Sequence, residues 1–157
     1  MRRKYKRKKG VKTSRGNKKI YDGIEFASGL EIYCYKELKK TDLDFKYEEI
    51  SYTLVDPITR GFEVYKKTKT KPYSSVKTKN VLKISYKPDF FIYDKGKLVY
   101  IIETKGHANE SFPIRVKLFY NYAIRRLKYL KAYFLPSNQK EVDETIKLIQ
   151  DEKSTRR

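Results

Sequence analysis

The stretch PDFFIYDKGKLVYIIETK, residues 88–105, decides how this chain folds and where its chemistry sits. It reads as two strands, about Leu82 to Tyr93 and Lys97 to Thr104, joined at Asp94-Lys95-Gly96, which is good turn chemistry. Pro88 interrupts the first strand; it has no N–H for the ladder and therefore fits an edge position or a bulge. In a strand, residues two apart face the same side, so Glu103 and Lys105 project together, roughly 7 Å apart at about 3.3 Å per residue. Asp89 must reach the same point from the neighbouring strand.

Hairpin register turns this into a requirement. A two-residue loop at Lys95-Gly96 sets Asp89 opposite Ile102 and leaves Glu103 on the other face. A three-residue loop, or one bulge, sets Asp89 opposite Glu103. Gly96 and Pro88 both suit such an irregularity, and one is expected here.

The residue types point to metal-assisted hydrolysis. Carboxylates are hard oxygen ligands suited to Mg²⁺, which is usually held by one or two of them plus water and substrate phosphate oxygens. Asp89 and Glu103 are the expected ligands, with the backbone carbonyl of Thr104 between the two functional side chains as a third. Such an ion lowers the pKa of a bound water, polarises the scissile phosphate and stabilises the leaving oxygen. Lys105 would orient the attacking water and offset the extra charge on phosphorus. Each half of the pattern has an ordinary reading, a turn dipeptide for Pro88-Asp89 and a solvated ion pair for Glu103-Thr104-Lys105. Their conjunction on adjacent strands is the signal.

The rest of the chain supports a polyanionic partner. Lysine and arginine number 38 against 19 acidic residues, a net charge of +19, with a pI near 9.8. Such a protein repels itself unless a polyanion is near, and nucleic acid is the default. Residues 1–19 hold eleven lysines or arginines and no acid, so this arm, Arg2, Arg3, Lys4 and Arg7 among it, is expected to be disordered alone and to meet DNA phosphates. Residues 60–87 hold nine against one glutamate, and an exposed basic loop or hairpin at about 57–83 is expected to contact DNA through Lys66, Lys67, Lys69 and Lys71. Tyr65, Tyr73 and Tyr86 there could stack on unpaired bases, with aromatic packing the safer expectation. No apolar run approaches the roughly 20 residues of a spanning helix, and no secretory segment is recognisable. The single cysteine, Cys34, excludes an internal disulfide and a cysteine-based zinc site and fits a reducing, cytoplasmic setting.

One domain over residues 20–152 is expected, with a short tail at 153–157. Residues 20–26 read as a short lead-in. Ser28 is a natural N-cap for a helix to about Lys40, with Ile32, Tyr35 and Leu38 as its buried stripe. Glu31 completes a capping box or supplies a carboxylate for a second metal, and the residues alone leave both roles open. A strand spans about Phe45 to Val55. Pro113 starts a helix to about Leu130, whose outer surface offers Arg115 and Lys117 to DNA near the cut. A strand follows at Ala132 to Leu135, then a helix from the Asn138 cap to about Gln150. Strand, crossover helix and strand over 97–135 make a βαβ unit, so the class is α/β with a mixed central sheet flanked by helices. His107, just after the motif, could touch a phosphate, though a loop role is the simpler expectation.

Asp89, Glu103 and Lys105 resemble the PD-(D/E)xK nuclease motif. Together with Ser28-Gly29-Leu30-Glu31, the strand Phe45-Lys46-Tyr47-Glu48-Glu49, Pro88-Asp89-Phe90 and Glu103-Thr104-Lys105-Gly106, they are similar to the phage endonuclease I family of Holliday-junction resolvases, over about residues 25–135. The resemblance implies a restriction-endonuclease-like core, Mg²⁺ with Mn²⁺ able to substitute, and a homodimer making paired cuts in four-way DNA junctions. It implies Glu31, Asp89 and Glu103 as metal-binding carboxylates and Lys105 as the catalytic lysine, working, for a phage protein, in the cytoplasm of the infected bacterium. The long basic insertion and the N-terminal position of the arm depart from that pattern and leave other DNA, such as repair or replication intermediates or duplex, open as substrate. A basic nucleic-acid-binding protein without catalysis is the alternative class.

Overall fold

The computed structural model describes residues 19–155 apart from 60, 62, 78–80 and 107–109. The N-terminal arm with Arg2, Arg3, Lys4 and Arg7, and His107, lie outside the described residues.

The fold is mixed α/β. Its centre is a four-stranded sheet of β3 (Asp44–Tyr47), β8 (Phe90–Asp94), β9 (Lys97–Ile102) and β10 (Ala132–Phe134), in the order β10-β9-β8-β3. The β9–β10 pair is parallel, bridged by α2 (Phe112–Arg126), and the other two pairs are antiparallel. The sheet is therefore mixed, as the βαβ pattern requires.

Its middle hairpin follows from the opening stretch. Lys95 and Gly96 both take left-handed backbone, φ 49° and 74°, the two-residue turn whose twist matches the flanking strands. Asp94 pairs with Lys97 and Tyr93 with Leu98, but Ile92 pairs with Tyr100, so Val99 is the extra residue of a bulge. The expected irregularity is thus present, at Val99 rather than at Gly96 or Pro88. Val99 and Tyr100 enter the same core cluster, while Leu98 and Ile101 face the other one. Every residue beyond the bulge is reset by one position.

Helices cover both faces. On one, α1 (Gly29–Lys39) and α3 (Gln139–Ser154) bury Cys34, Leu38, Val142 and Ile149 against Phe90 and Ile102. On the other, α2 packs Phe119 and Ala123 against Phe91 and Ile101. Phe26, Phe90, Phe91 and Phe119 are completely buried, each contributing roughly 1.5–3 kcal/mol of transfer free energy. The caps are read correctly from sequence: Ser28 Oγ accepts from Glu31 N at 3.1 Å, and Asn138 Oδ1 accepts from Glu141 N at 3.0 Å. In α1 the buried stripe is Glu31, Cys34, Tyr35 and Leu38, with Ile32 only half-buried.

Several boundaries differ from the sequence reading. Residues 20–26 are not a plain lead-in but part of a hairpin, β1 (Lys19–Tyr21) and β2 (Ile24–Phe26), turned by Asp22 and Gly23 at φ 54° and 73°. The run from Phe45 to Val55 is two strands, because Glu48 adopts φ 45° and diverts the chain. The second piece, β4 (Tyr52–Val55), leaves the central sheet and pairs with β7 (Ile84–Tyr86). Pro88 sits fully buried between β7 and β8, dividing the expected strand rather than marking an edge. Helix α2 ends at Arg126; Leu127 and Leu130 continue the apolar pattern from the following loop and still pack on the second cluster. Helix α3 runs one turn past Gln150. The basic insertion is an antiparallel hairpin, β5 (Glu63–Lys66) and β6 (Ser74–Lys77). No helix among the described residues is long and apolar enough to cross a membrane.

Candidate active site

The reset register carries past the strand ends. Phe90 lies opposite Ile102, so the next pair outward is Asp89 and Glu103, and alternation puts both on the face of Phe91 and Ile101. Both are nearly buried, 8% and 5% exposed. Asp89 Oδ2 accepts from the Thr104 amide and from Thr104 Oγ1, each at 2.8 Å, while Asp89 O accepts from Glu48 N at 2.7 Å. Neighbouring amides point the other way: Glu103 N donates to Phe134 O and Lys105 N to Pro136 O, both 2.9 Å. The Thr104 amide therefore lies on the Asp89 edge, and in extended backbone its carbonyl shares that edge. Lys105 Nζ stands 4.0 Å from Glu103 Oε1 and 4.8 Å from the Phe112 ring centre.

These groups meet in a cavity of about 340 Å³ whose wall includes Glu31, Asp89, Glu103, Thr104, Lys105 and Arg115. A second cavity, about 210 Å³ near the Asp94-Lys95 turn, contains none of them. Burial pushes the Asp89 carboxyl well above the usual carboxylate range, and the charges of Glu103 and Glu31 push it further, against the Thr104 hydrogen bonds. Burial also pushes Glu103 up to about 7, opposed by the Tyr86 hydroxyl and the Lys105 ammonium. Two buried carboxylates so placed are costly without a proton or cation between them.

The donor set fits a hard divalent ion. Glu103 Oε2 is buried and has no hydrogen-bond partner among the described residues, as is Ser85 Oγ on the same cavity wall. Among the described residues no three His, Cys, Asp or Glu side chains form a ready-made cluster. The remaining ligands would be main-chain oxygen, water and substrate, the usual Mg²⁺ pattern.

Glu31 lines the cavity, with one of its carboxylate oxygens engaged. Its Oε2 accepts from Ala27 N at 2.9 Å and from the Tyr47 hydroxyl at 2.7 Å, tying the start of α1 to β2 and β3. The capping box is modified accordingly, since the carboxylate takes the amide of Ala27 and not that of Ser28. Arg115 lies on the cavity wall, its guanidinium donating to Ser111 Oγ at 2.8 Å. Lys117 is exposed on α2, outside the cavity lining. Lys66, Lys67, Lys69 and Lys71 are exposed on and between β5 and β6, likewise outside it.

Among the cavity residues that sequence reasoning did not assign to the site are Tyr86, Ser85, Lys87 and Glu48. Tyr86 is buried, its hydroxyl hydrogen-bonded to that of Tyr133, and it packs on Phe119 rather than offering a stacking surface. Ser85 carries a buried hydroxyl without a partner among the described residues. Lys87 and Glu48 pair at 2.6 Å on the rim, and the Glu48 strain at φ 45° coincides with its hydrogen bond to Asp89. Lys87, directly before Pro88-Asp89, was the one with a local signal.

Neither curated proteins nor solved structures give a significant match to the chain. A family model described as "Protein of unknown function (DUF1064)" matches residues 11–135, most of the chain including the whole of this site, and the chain belongs to that family.

Proposed function

We propose that this chain is a divalent-metal-dependent endonuclease of the PD-(D/E)xK type that hydrolyses phosphodiester bonds in branched DNA, four-way junctions foremost. The observation that carries this reading is the opposition of Asp89 and Glu103 across the bulged hairpin, with Glu103 Oε2 buried and, among the described residues, unpartnered, and Lys105 Nζ near the same carboxylate.

Asp89, Glu103 and the Thr104 carbonyl would hold Mg²⁺ or Mn²⁺, which when bound would activate a water and polarise the phosphate. Thr104 fixes the Asp89 rotamer through two hydrogen bonds, so the carboxylate is oriented before substrate arrives. Lys105 donates from Nζ to the attacking water or to a non-bridging oxygen as charge accumulates on phosphorus. Arg115, also on the cavity wall, would hold a flanking phosphate. Glu31 acts as a positioning residue that anchors the start of α1 beside the carboxylate pair. In the reaction, the oxygen of one water bonds to phosphorus and one ester P–O bond breaks. The leaving oxygen takes up a proton as a hydroxyl, and the new monoester releases one to solvent.

A four-way junction is nearly two-fold symmetric, so cutting two of its strands calls for a homodimer with one such site per subunit. The test is digestion of a synthetic four-way junction and a matched linear duplex with Mg²⁺ and with EDTA. The reading expects metal-dependent nicking that is faster on the junction. Equal rates would remove the junction preference and keep the nuclease. Tight binding without cutting under any divalent ion would leave a basic DNA-binding protein.

A further inference from the structure

The basic insertion is continuous with the wall of the site. Tyr52 pairs with Tyr86, Val55 with Ile84, Ile58 with Val81, and Glu63 with Lys77, all antiparallel and nested in chain order. The described pairs within residues 52–86 are those of a two-stranded arm, and Ser85 and Tyr86 at its base line the cavity. Ser74, the last paired residue of the outer strand, lies twelve residues before Tyr86. At about 3.3 Å per residue, the arm reaches at most about 40 Å from the site, roughly one turn of duplex.

Its outer end has a chemical face. Tyr65 pairs with Ser75, which makes Tyr73 its diagonal neighbour on the same side of the ribbon. The two rings lie 6.1 Å apart at 33°, yet they are 57% and 72% exposed. Lys66, Lys67, Lys69 and Lys71 surround them, all exposed, and no carboxylate among the described residues pairs with any of the four. The turn itself is held by Thr68, whose Oγ1 accepts from Lys71 N at 3.0 Å. A turn carrying two exposed rings among cations that no described carboxylate pairs has the chemistry of a base-stacking platform with phosphate anchors.

We propose that the tip of this arm is a second DNA contact, in which Tyr65 and Tyr73 stack on an unpaired base while the nearby lysines hold its flanking phosphates, within about one duplex turn of the cut. The proposal rests on the nuclease reading for its partner and deepens it. The preferred substrate becomes DNA with unpaired bases within about one duplex turn of the scissile bond.

The test measures binding in EDTA, so that cleavage does not enter. The probes are two DNAs of equal length, one fully paired and one with a short single-stranded gap carrying 2-aminopurine. The full chain is expected to bind the gapped DNA about tenfold or more tightly and to quench the 2-aminopurine. Joint Tyr65→Ala and Tyr73→Ala should abolish both effects with an unchanged melting temperature, while Tyr65→Phe with Tyr73→Phe should retain them, since stacking needs the ring and not the hydroxyl. Replacing the four lysines by glutamine should flatten the logarithmic salt dependence of binding by about 3 to 4, at about 0.9 per phosphate contact. Equal affinity of the full chain for both DNAs, or an undiminished preference in the alanine variant, would overturn the proposal. So would displacement of the gapped DNA by anionic vesicles as readily as by DNA. Loss of gap preference alongside Mg²⁺-dependent cutting by the full chain would reject this contact and leave the nuclease standing; gap preference without cutting would do the reverse.

Discussion

Replacing Glu103 by glutamine is expected to stabilise the metal-free protein at neutral pH. The Glu103 carboxyl is held at about 7 against an ordinary 4.5, chiefly by burial. A folded-state pKa above the unfolded one means that the folded protein retains its proton longer. Stability is then full below about pH 4.5 and falls as pH rises towards and through 7. At 1.36 kcal/mol per pKa unit the penalty is about 3 kcal/mol at neutral pH. Glutamine removes it but introduces an amide whose donors have no assured partner, at a cost of about 1–3 kcal/mol. A net gain of up to about 2 kcal/mol remains, or up to roughly 8 °C in melting temperature for a chain of this size. The assay is thermal unfolding in EDTA at intervals from pH 4.5 to 8. The difference between variant and parent should grow across that window, favouring the variant at its upper end. Added Mg²⁺ should then stabilise the parent and leave the variant unmoved. A difference independent of pH, or a variant less stable at pH 8 than at pH 5 relative to the parent, would refute the reasoning.

Other substitutions separate the roles of neighbouring groups. Thr104→Val removes the hydroxyl donor to Asp89 and should weaken divalent-ion binding about 10- to 100-fold, read by Mn²⁺ titration, with little change in DNA affinity. Lys105→Met should lower the cleavage rate by about 10²- to 10³-fold while Mg²⁺ still raises the melting temperature. Phe119→Ala, central to the α2 cluster, should cost about 3–5 kcal/mol in denaturant unfolding.

Much of this arrangement is legible in the sequence because it is set by short-range rules. Counting residues through a two-residue turn requires one bulge if Asp89 is to face Glu103, and the bulge exists, though the choice of Val99 depends on the core cluster it enters. Ser28 and Asn138 announce their helices because a cap is a local hydrogen bond. Elsewhere the deciding interactions are distant. Nothing near Glu48 signals left-handed backbone; its amide is held by Asp89, far along the chain, and this divides β3 from β4. Leu127 and Leu130 mimic a helix because loop residues can bury the same face. Glu31 lines the cavity, but its carboxylate takes the amide of Ala27 and the hydroxyl of Tyr47, partners that the capping pattern does not announce. Tyr86 looks like its neighbours Tyr65 and Tyr73 in a basic segment, and only the tertiary fold buries one and exposes the other two.

The most direct test of the central claim is strand-resolved cleavage of an end-labelled four-way junction by the parent and by Asp89→Asn, with DNA binding measured on the same preparations. The account expects discrete Mg²⁺-dependent cuts by the parent, and a folded Asp89→Asn variant that binds the junction with equal affinity yet leaves it intact. Cutting by Asp89→Asn at the parental rate would contradict it.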